Sequence, residues 1–395
     1  MPSQSPSPQA TARPAGDARR APVRVAEKRL ADLEGGCAAV AVVDGPSALA
    51  LALLALAGPG EHVVAADCPG DAVREVLVRR LSAAGVDVTL VPADDPAAWY
   101  SALRPGTQAL FGQSTGDPYG DILDVTAVAH VAHEAGVPLV VDNTLLTPHL
   151  LRPLDHGADI VVHTGTELLT GAAAHPGEGD GTPSAGGIGG FVVDGGRFDF
   201  GADPGRWPGL TLPFAAHGGP SLWDTFTGRD DAFAGLLRSL LVGGKTWAEP
   251  ACDATALLRG LPALGVRVER RAATARTLAA HLEGHRQVAR VHCAGLPSSP
   301  SYAVAEHALP RGAGVVVSFE LAGGAAAAAR FAAGLRLVGV RPGTGTARTR
   351  ATLPVPDGHG RRGTRPAPGL VRLVAGEEEP ADLVADLENA LRAAR

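Results

Sequence analysis

Aromatic side chains make up only 4% of the 395 residues, and there is a single methionine. The apolar share, 45%, is therefore mostly Ala, Val and Leu, small side chains that suit helices packed tightly on a sheet. Lysine is nearly missing: Lys28 and Lys245 are the only two, and arginine supplies the other cations. The net charge is −6 and there is no basic block, which argues against a nucleic-acid partner. The four cysteines, Cys37, Cys68, Cys252 and Cys293, lie far apart with no CxxC spacing. That gives zinc or disulfide readings little support, and a reduced, cytoplasmic chain is the simpler reading. No metal is expected, because His149, His156, His163 and His175 lack a ligand spacing tied to acidic partners. The start shows no apolar run behind a basic segment, so no secretory signal is read. The longest apolar stretch, Ala38 to Ala57, is broken by Asp44, Gly45 and Pro46 and reads as strand, turn and helix, not as a membrane span.

What is present is an alternation of short apolar runs and helical patterns. Residues 1–20, rich in Ser, Pro, Ala and Arg without periodicity, read as a disordered tail. A helix from Arg24 to Glu34 stops at Gly35-Gly36. Strands follow at Val40–Val43, His62–Ala66, Asp87–Pro92, Ala109–Gly112, Pro138–Val141 and Asp159–His163, with helices between them, including Ser47–Ala57, Asp71–Ala84 and Val125–Ala135. Continuous Val/Ile/Leu runs alternating with helices predict a mostly parallel sheet covered on both faces. Sites in such sheets form at the carboxyl ends of strands. Asp44-Gly45, Asp67-Cys68-Pro69, Asp117, Asp142 and Thr164 to Glu167 all fall there. Gly171 to Gly187 reads as an exposed, Gly/Ala/Pro-rich insertion. A long helix is expected over Cys252–Gly284 and a last helix over Ala381–Ala394, with Glu377-Glu378-Glu379 capping its start. The division is a large α/β domain over 21–245 and a smaller C-terminal α+β domain over 246–395.

The order of several segments is more specific than any one of them. Leu33-Glu34-Gly35-Gly36 precedes the first strand. Val140-Val141-Asp142-Asn143-Thr144 runs on through Thr147-Pro148 to Arg152-Pro153-Leu154. Gly157-Ala158-Asp159-Ile160-Val161-Val162-His163-Thr164 follows. Gly189-Gly190, Val193-Asp194-Gly195-Gly196, Gly295-Leu296-Pro297-Ser298-Ser299-Pro300 and Leu370-Val371-Arg372-Leu373 come later in the same sequence. This order resembles the Cys/Met-metabolism (trans-sulfuration) family of pyridoxal-phosphate enzymes, in particular its O-acetylhomoserine sulfhydrylase branch, beside cystathionine γ-synthase and γ-lyase. The resemblance runs from about Val25 to Ala394. It implies fold type I of the pyridoxal-phosphate transferases, pyridoxal 5'-phosphate as cofactor, an amino-acid ligand, γ-replacement or elimination chemistry, and assembly into oligomers. The cofactor would be a Schiff base on a lysine, with its ring made an electron sink by an aspartate on the pyridine nitrogen. Carried over by position, Asp142 matches that aspartate, Thr164 and Thr166 the phosphate-holding hydroxyls, Gly45 the phosphate turn, and Arg372 the arginine that grips a substrate carboxylate.

The departures cluster at the same site. Where the family reads Ser-Ala-Thr-Lys, this chain reads Thr164-Gly165-Thr166-Glu167, and a carboxylate cannot form an imine. The phosphate turn reads Asp44-Gly45-Pro46-Ser47, with a proline that has no N–H and an acid beside an anion seat. Pro69 stands for the ring-stacking tyrosine, Asp117 for the asparagine of the Asn-Pro motif, and Pro356 for the serine of the carboxylate loop. The family's N-terminal Tyr and Arg, which reach a neighbouring subunit's phosphate, have no match. Three readings follow. The first is a degenerate homologue without Schiff-base catalysis, serving as a partner subunit of an active paralogue. The second is a lysine-independent transferase or lyase with Glu167 as base. The third is a small-molecule binding or regulatory protein that uses the old pocket.

Overall fold

The computed structural model describes residues 15–67, 71–164, 167–171, 189–213, 219–226, 231–243, 254–341, 347–354 and 366–395. Seven strands form the main sheet: β1 (Ala38–Val42), β2 (His62–Ala66), β3 (Asp87–Val91), β4 (Thr107–Gln113), β5 (Leu139–Asp142), β6 (Ile160–His163) and β7 (Gly190–Asp194). Their spatial order is β1-β7-β6-β5-β4-β2-β3. The pairings from β3 through to β6 are all parallel, as the unbroken apolar runs predict. β7 is the exception: it lies antiparallel between β6 and β1.

Alternate residues of these strands feed two separate cores. Val141, Val161 and Val193 face one side, with Leu30 and Leu146. Val140, Ile160, Val162 and Val192 face the other, with Leu49 and Leu53 of helix Gly45–Leu56. The two-residue period of a strand makes this division automatic. A second sheet follows, in the order β10-β11-β12-β9-β8. Its strands are β8 (Val288–His292), β9 (Val316–Leu321), β10 (Gly339–Val340), β11 (Arg350–Thr352) and β12 (Leu370–Val374). Helices Leu264–Glu283 and Pro380–Ala393 cover one face of it through Leu278, Leu282, Leu383 and Leu387. The whole is the α/β architecture expected, with a second sheet in a smaller unit.

Three expectations change. The first helix begins at Ala15, inside the segment read as a disordered tail. The long helix expected over Cys252–Gly284 is two helices, Ala254–Gly260 and Leu264–Glu283, because a 3-10 turn at Leu261–Ala263 carries Pro262, which has no N–H to continue the ladder. The acidic run reaches the start of the last helix through Glu379 alone, at its N-cap. Glu379 makes no side-chain bond to the helix backbone and instead accepts from Arg270 at 3.4 Å, while Glu378 accepts from the backbone N–H of Thr349 and from its hydroxyl, each at 2.8 Å. Among the described residues no helix is long and apolar enough to cross a membrane, and no metal-ligating cluster is present.

Candidate functional site

The carboxyl ends of β4, β5 and β6 lie side by side. Gln113 pairs with Asp142 in register, Asp142 with Val162, and the Ser114 N–H donates to the Asp142 carbonyl at 2.9 Å. The chain must leave the sheet at these ends, so side chains there point into the space above it.

Asp142 is buried, with 3% of its surface exposed. One carboxylate oxygen accepts the Thr144 backbone N–H at 3.0 Å and the Thr144 hydroxyl. The other accepts the Thr164 hydroxyl at 2.9 Å. The Thr164 N–H in turn donates to the Thr144 oxygen at 2.7 Å. A closed Asp–Thr–Thr unit thus ties the end of β5 to the end of β6. Thr144, which sequence reasoning gave no role, is its centre. Its place directly after Asp142-Asn143 was the available signal, since short polar side chains bond backbone two residues away.

Helix Gly45–Leu56 starts beside this unit. A Cβ on Gly45 would fall 1.7 Å from the Thr164 carbonyl oxygen, so only glycine permits the approach. Asp44 is the helix N-cap: its carboxylate accepts the Ser47 N–H at 2.7 Å. Pro46 contributes no donor. The helix terminus that would cradle a phosphate therefore already holds a carboxylate, the side chain of the chain's own Asp44.

Glu167, half-buried, opens the short helix Glu167–Thr170. Its field acts on Arg271, as do those of Glu377 and Glu378. Arg271 is fully buried on helix Leu264–Glu283, and burial pulls its pKa down to about 10. Its Nε donates to the Ala375 carbonyl at 2.7 Å, while Nη1 and Nη2 meet no hydrogen-bond partner. A carboxylate at 167 offsets this buried charge, and a lysine there would add to it.

Arg372 lies on β12, between Ser318 of β9 and Thr352 of β11. It forms an ion pair with Asp117. The face of β12 that carries Arg372 also carries Val374, which packs with Leu145, Leu168, Val315 and Val316. Leu145 follows the Asp142 unit and Leu168 follows Glu167, so this face of the second sheet closes over the ends of β5 and β6. Of the positions carried over, Gly45, Asp142 and Thr164 are thus brought into contact, and Arg372 is joined to Asp117. Thr166, Pro69, Pro356, Lys245 and the insertion 172–187 lie outside the described residues. Pyridoxal phosphate would find its ring-nitrogen partner in Asp142. Where the resemblance puts the lysine stands Glu167, where it puts the phosphate turn Asp44 caps the helix, and the Thr164 hydroxyl donates to Asp142. These residues do not fit the cofactor as the resemblance implies it is held.

The likeness is nevertheless extensive. The model of the family described as Cys/Met metabolism PLP-dependent enzyme matches residues 19–176 and 239–392. An O-acetyl-L-homoserine sulfhydrylase of Leptospira meyeri is 36% identical over 383 residues, covering 93% of this chain and 83% of that protein. One from Corynebacterium glutamicum is 35% identical over 381 residues, covering 94% and 84%. The structure of O-acetylhomoserine sulfhydrylase from Wolinella succinogenes superposes with a TM-score of 0.77 at 27% identity, over 94% of this chain and 97% of that one. With its fold, its strand-end Asp142 and its ordered motifs, the chain belongs to the Cys/Met-metabolism family of PLP-dependent enzymes.

Proposed function

We propose that this chain is a member of the family that keeps the fold and has given up Schiff-base chemistry, acting as a non-catalytic subunit beside an active member. The observation that carries this reading is Glu167 at the lysine position. A carboxylate has no amine to condense with an aldehyde, and it adds negative charge where the family needs a base that is neutral when it acts. The Asp44 cap and the Asp117–Arg372 pair support the same reading, because each sets an internal carboxylate where the family binds an external anion. Among the described residues, buried apolar cores lie on both faces of the sheet, which supports a retained fold beside the altered site.

The chain expressed alone, supplied with pyridoxal phosphate, O-acetyl-L-homoserine and sulfide, is expected to form homocysteine no faster than the mixture without protein. Co-expressed with a sulfhydrylase of the same genome, it is expected to co-purify with that enzyme. Turnover by the solitary chain would contradict the proposal and favour the lysine-independent reading, in which Glu167 serves as base.

A further inference from the structure

We infer that Asp117 is a built-in occupant of the substrate-carboxylate seat and is the residue that closes this pocket to α-amino acids. The inference rests on the reading above that the site has left the family's chemistry, and it goes further by assigning the ligand class that is refused.

Arg372 has 6% of its side chain exposed, and a guanidinium so buried needs a fixed anionic partner. The partner here belongs to the chain itself. Asp117 is held in place by its neighbours. The Ser318 hydroxyl, on the residue paired with Arg372 across β9 and β12, donates to the Pro118 carbonyl at 2.5 Å. The Tyr119 ring lies 4.7 Å from that of His292, and the Tyr119 hydroxyl accepts the Ala367 N–H at 3.2 Å. Gly120 sits against Val316. The segment 117–120 is thus fastened to the second sheet at each successive residue, and the carboxylate of Asp117 is delivered to Arg372. An incoming α-carboxylate would have to displace a tethered carboxylate of the same charge and shape. The tethered group holds the advantage of an intramolecular partner, and the displaced one would remain nearby to repel the newcomer. An asparagine at 117 keeps the size and an acceptor oxygen but removes the charge, leaving Arg372 able to bind a carboxylate from solution.

The test uses L-homoserine as probe and 3-amino-1-propanol as its carboxylate-free control, with the full-length chain and its D117N variant, read by calorimetric titration and thermal melting. D117N is expected to bind L-homoserine roughly tenfold or more tighter than the unaltered chain does, and to gain melting temperature from it. The unaltered chain is expected to show no preference for L-homoserine over the control. Equal affinity of the two proteins for L-homoserine overturns the inference. So does binding of L-homoserine in preference to the control by the unaltered chain, an arm that stands even if D117N fails to fold. A covalently held cofactor would overturn the proposed function without producing either result, so the two failures are distinguishable.

Discussion

Replacing Glu34 by alanine is expected to destabilise the chain by about 3–5 kcal/mol, the scale of breaking a buried pair by removing one partner. Glu34 is the last residue of the first helix and is completely buried. One of its oxygens accepts from His163 Nε2 at 2.8 Å and from the Asn143 amide at 2.9 Å. Both partners are also fully buried, so neither can turn to water when the acceptor is removed. The network joins the start of the chain to the ends of β5 and β6, directly beneath Asp142 and Thr164. His163, at the end of β6, is anchored here. Urea unfolding reads the effect as a lower midpoint at unchanged slope. Glutamine at 34 keeps an acceptor and is expected to lose less. A loss below about 1 kcal/mol for alanine would mean that the network contributes no more than a single ordinary hydrogen bond.

The second large effect is in pH. Burial, with Arg104 adding to it, pushes the pKa of His62 down to about 4. Its two ring nitrogens face the hydroxyls of Thr107 and Thr89 at 2.8 and 2.9 Å. Above about pH 6.5 the ring is neutral in both folded and unfolded chains, and its full contribution is present. As pH falls from there towards 4, the unfolded chain takes up a proton that the folded chain refuses, and stability is lost, in total roughly 3 kcal/mol. Asp194 works in the opposite direction. Burial raises its pKa to about 6, against accepted bonds from the Gly196 and Ala234 N–H groups. The folded chain therefore binds a proton between about pH 6 and 4 that the unfolded chain does not, and stability from this group is lost as pH rises through about 6. The two contributions oppose each other across one window and largely offset one another. His62→Gln exposes the Asp194 contribution. Relative to the unaltered chain, it is expected to gain roughly 2–3 kcal/mol on going from pH 7 to pH 4. Parallel stability profiles for the two proteins would show that His62 titrates normally in the fold.

The parallel part of the main sheet was legible because its strands are buried on both faces and carry unbroken apolar runs. The antiparallel β7 was not. Gly189-Gly190 could be read as leading into a strand, but local sequence carries no record of which neighbours that strand inserts between. That Gly45, Asp142 and Thr164 would come together was legible from their places at strand ends. What those side chains bond to was only half legible. Asp44, read from sequence only as an acid beside the phosphate turn, is a helix cap, and its place before Gly45-Pro46-Ser47 was the local signal for that. The Asp117–Arg372 pair joins two sheets across a long separation in sequence, and each member alone reads as a substitution or a retained residue. Arg271 gave no signal at all, because its burial arises from helix Leu264–Glu283 packing against the second sheet.

A chain with Glu167 where the family has its lysine is expected not to hold pyridoxal phosphate through a lysine. The most direct measurement is an absorbance spectrum of the purified protein with added cofactor, followed by dialysis, borohydride reduction and peptide mapping. The cofactor band is expected to leave on dialysis, with no pyridoxyl group found on any lysine. A band that survives dialysis and is reduced onto Lys28 or Lys245 would contradict it.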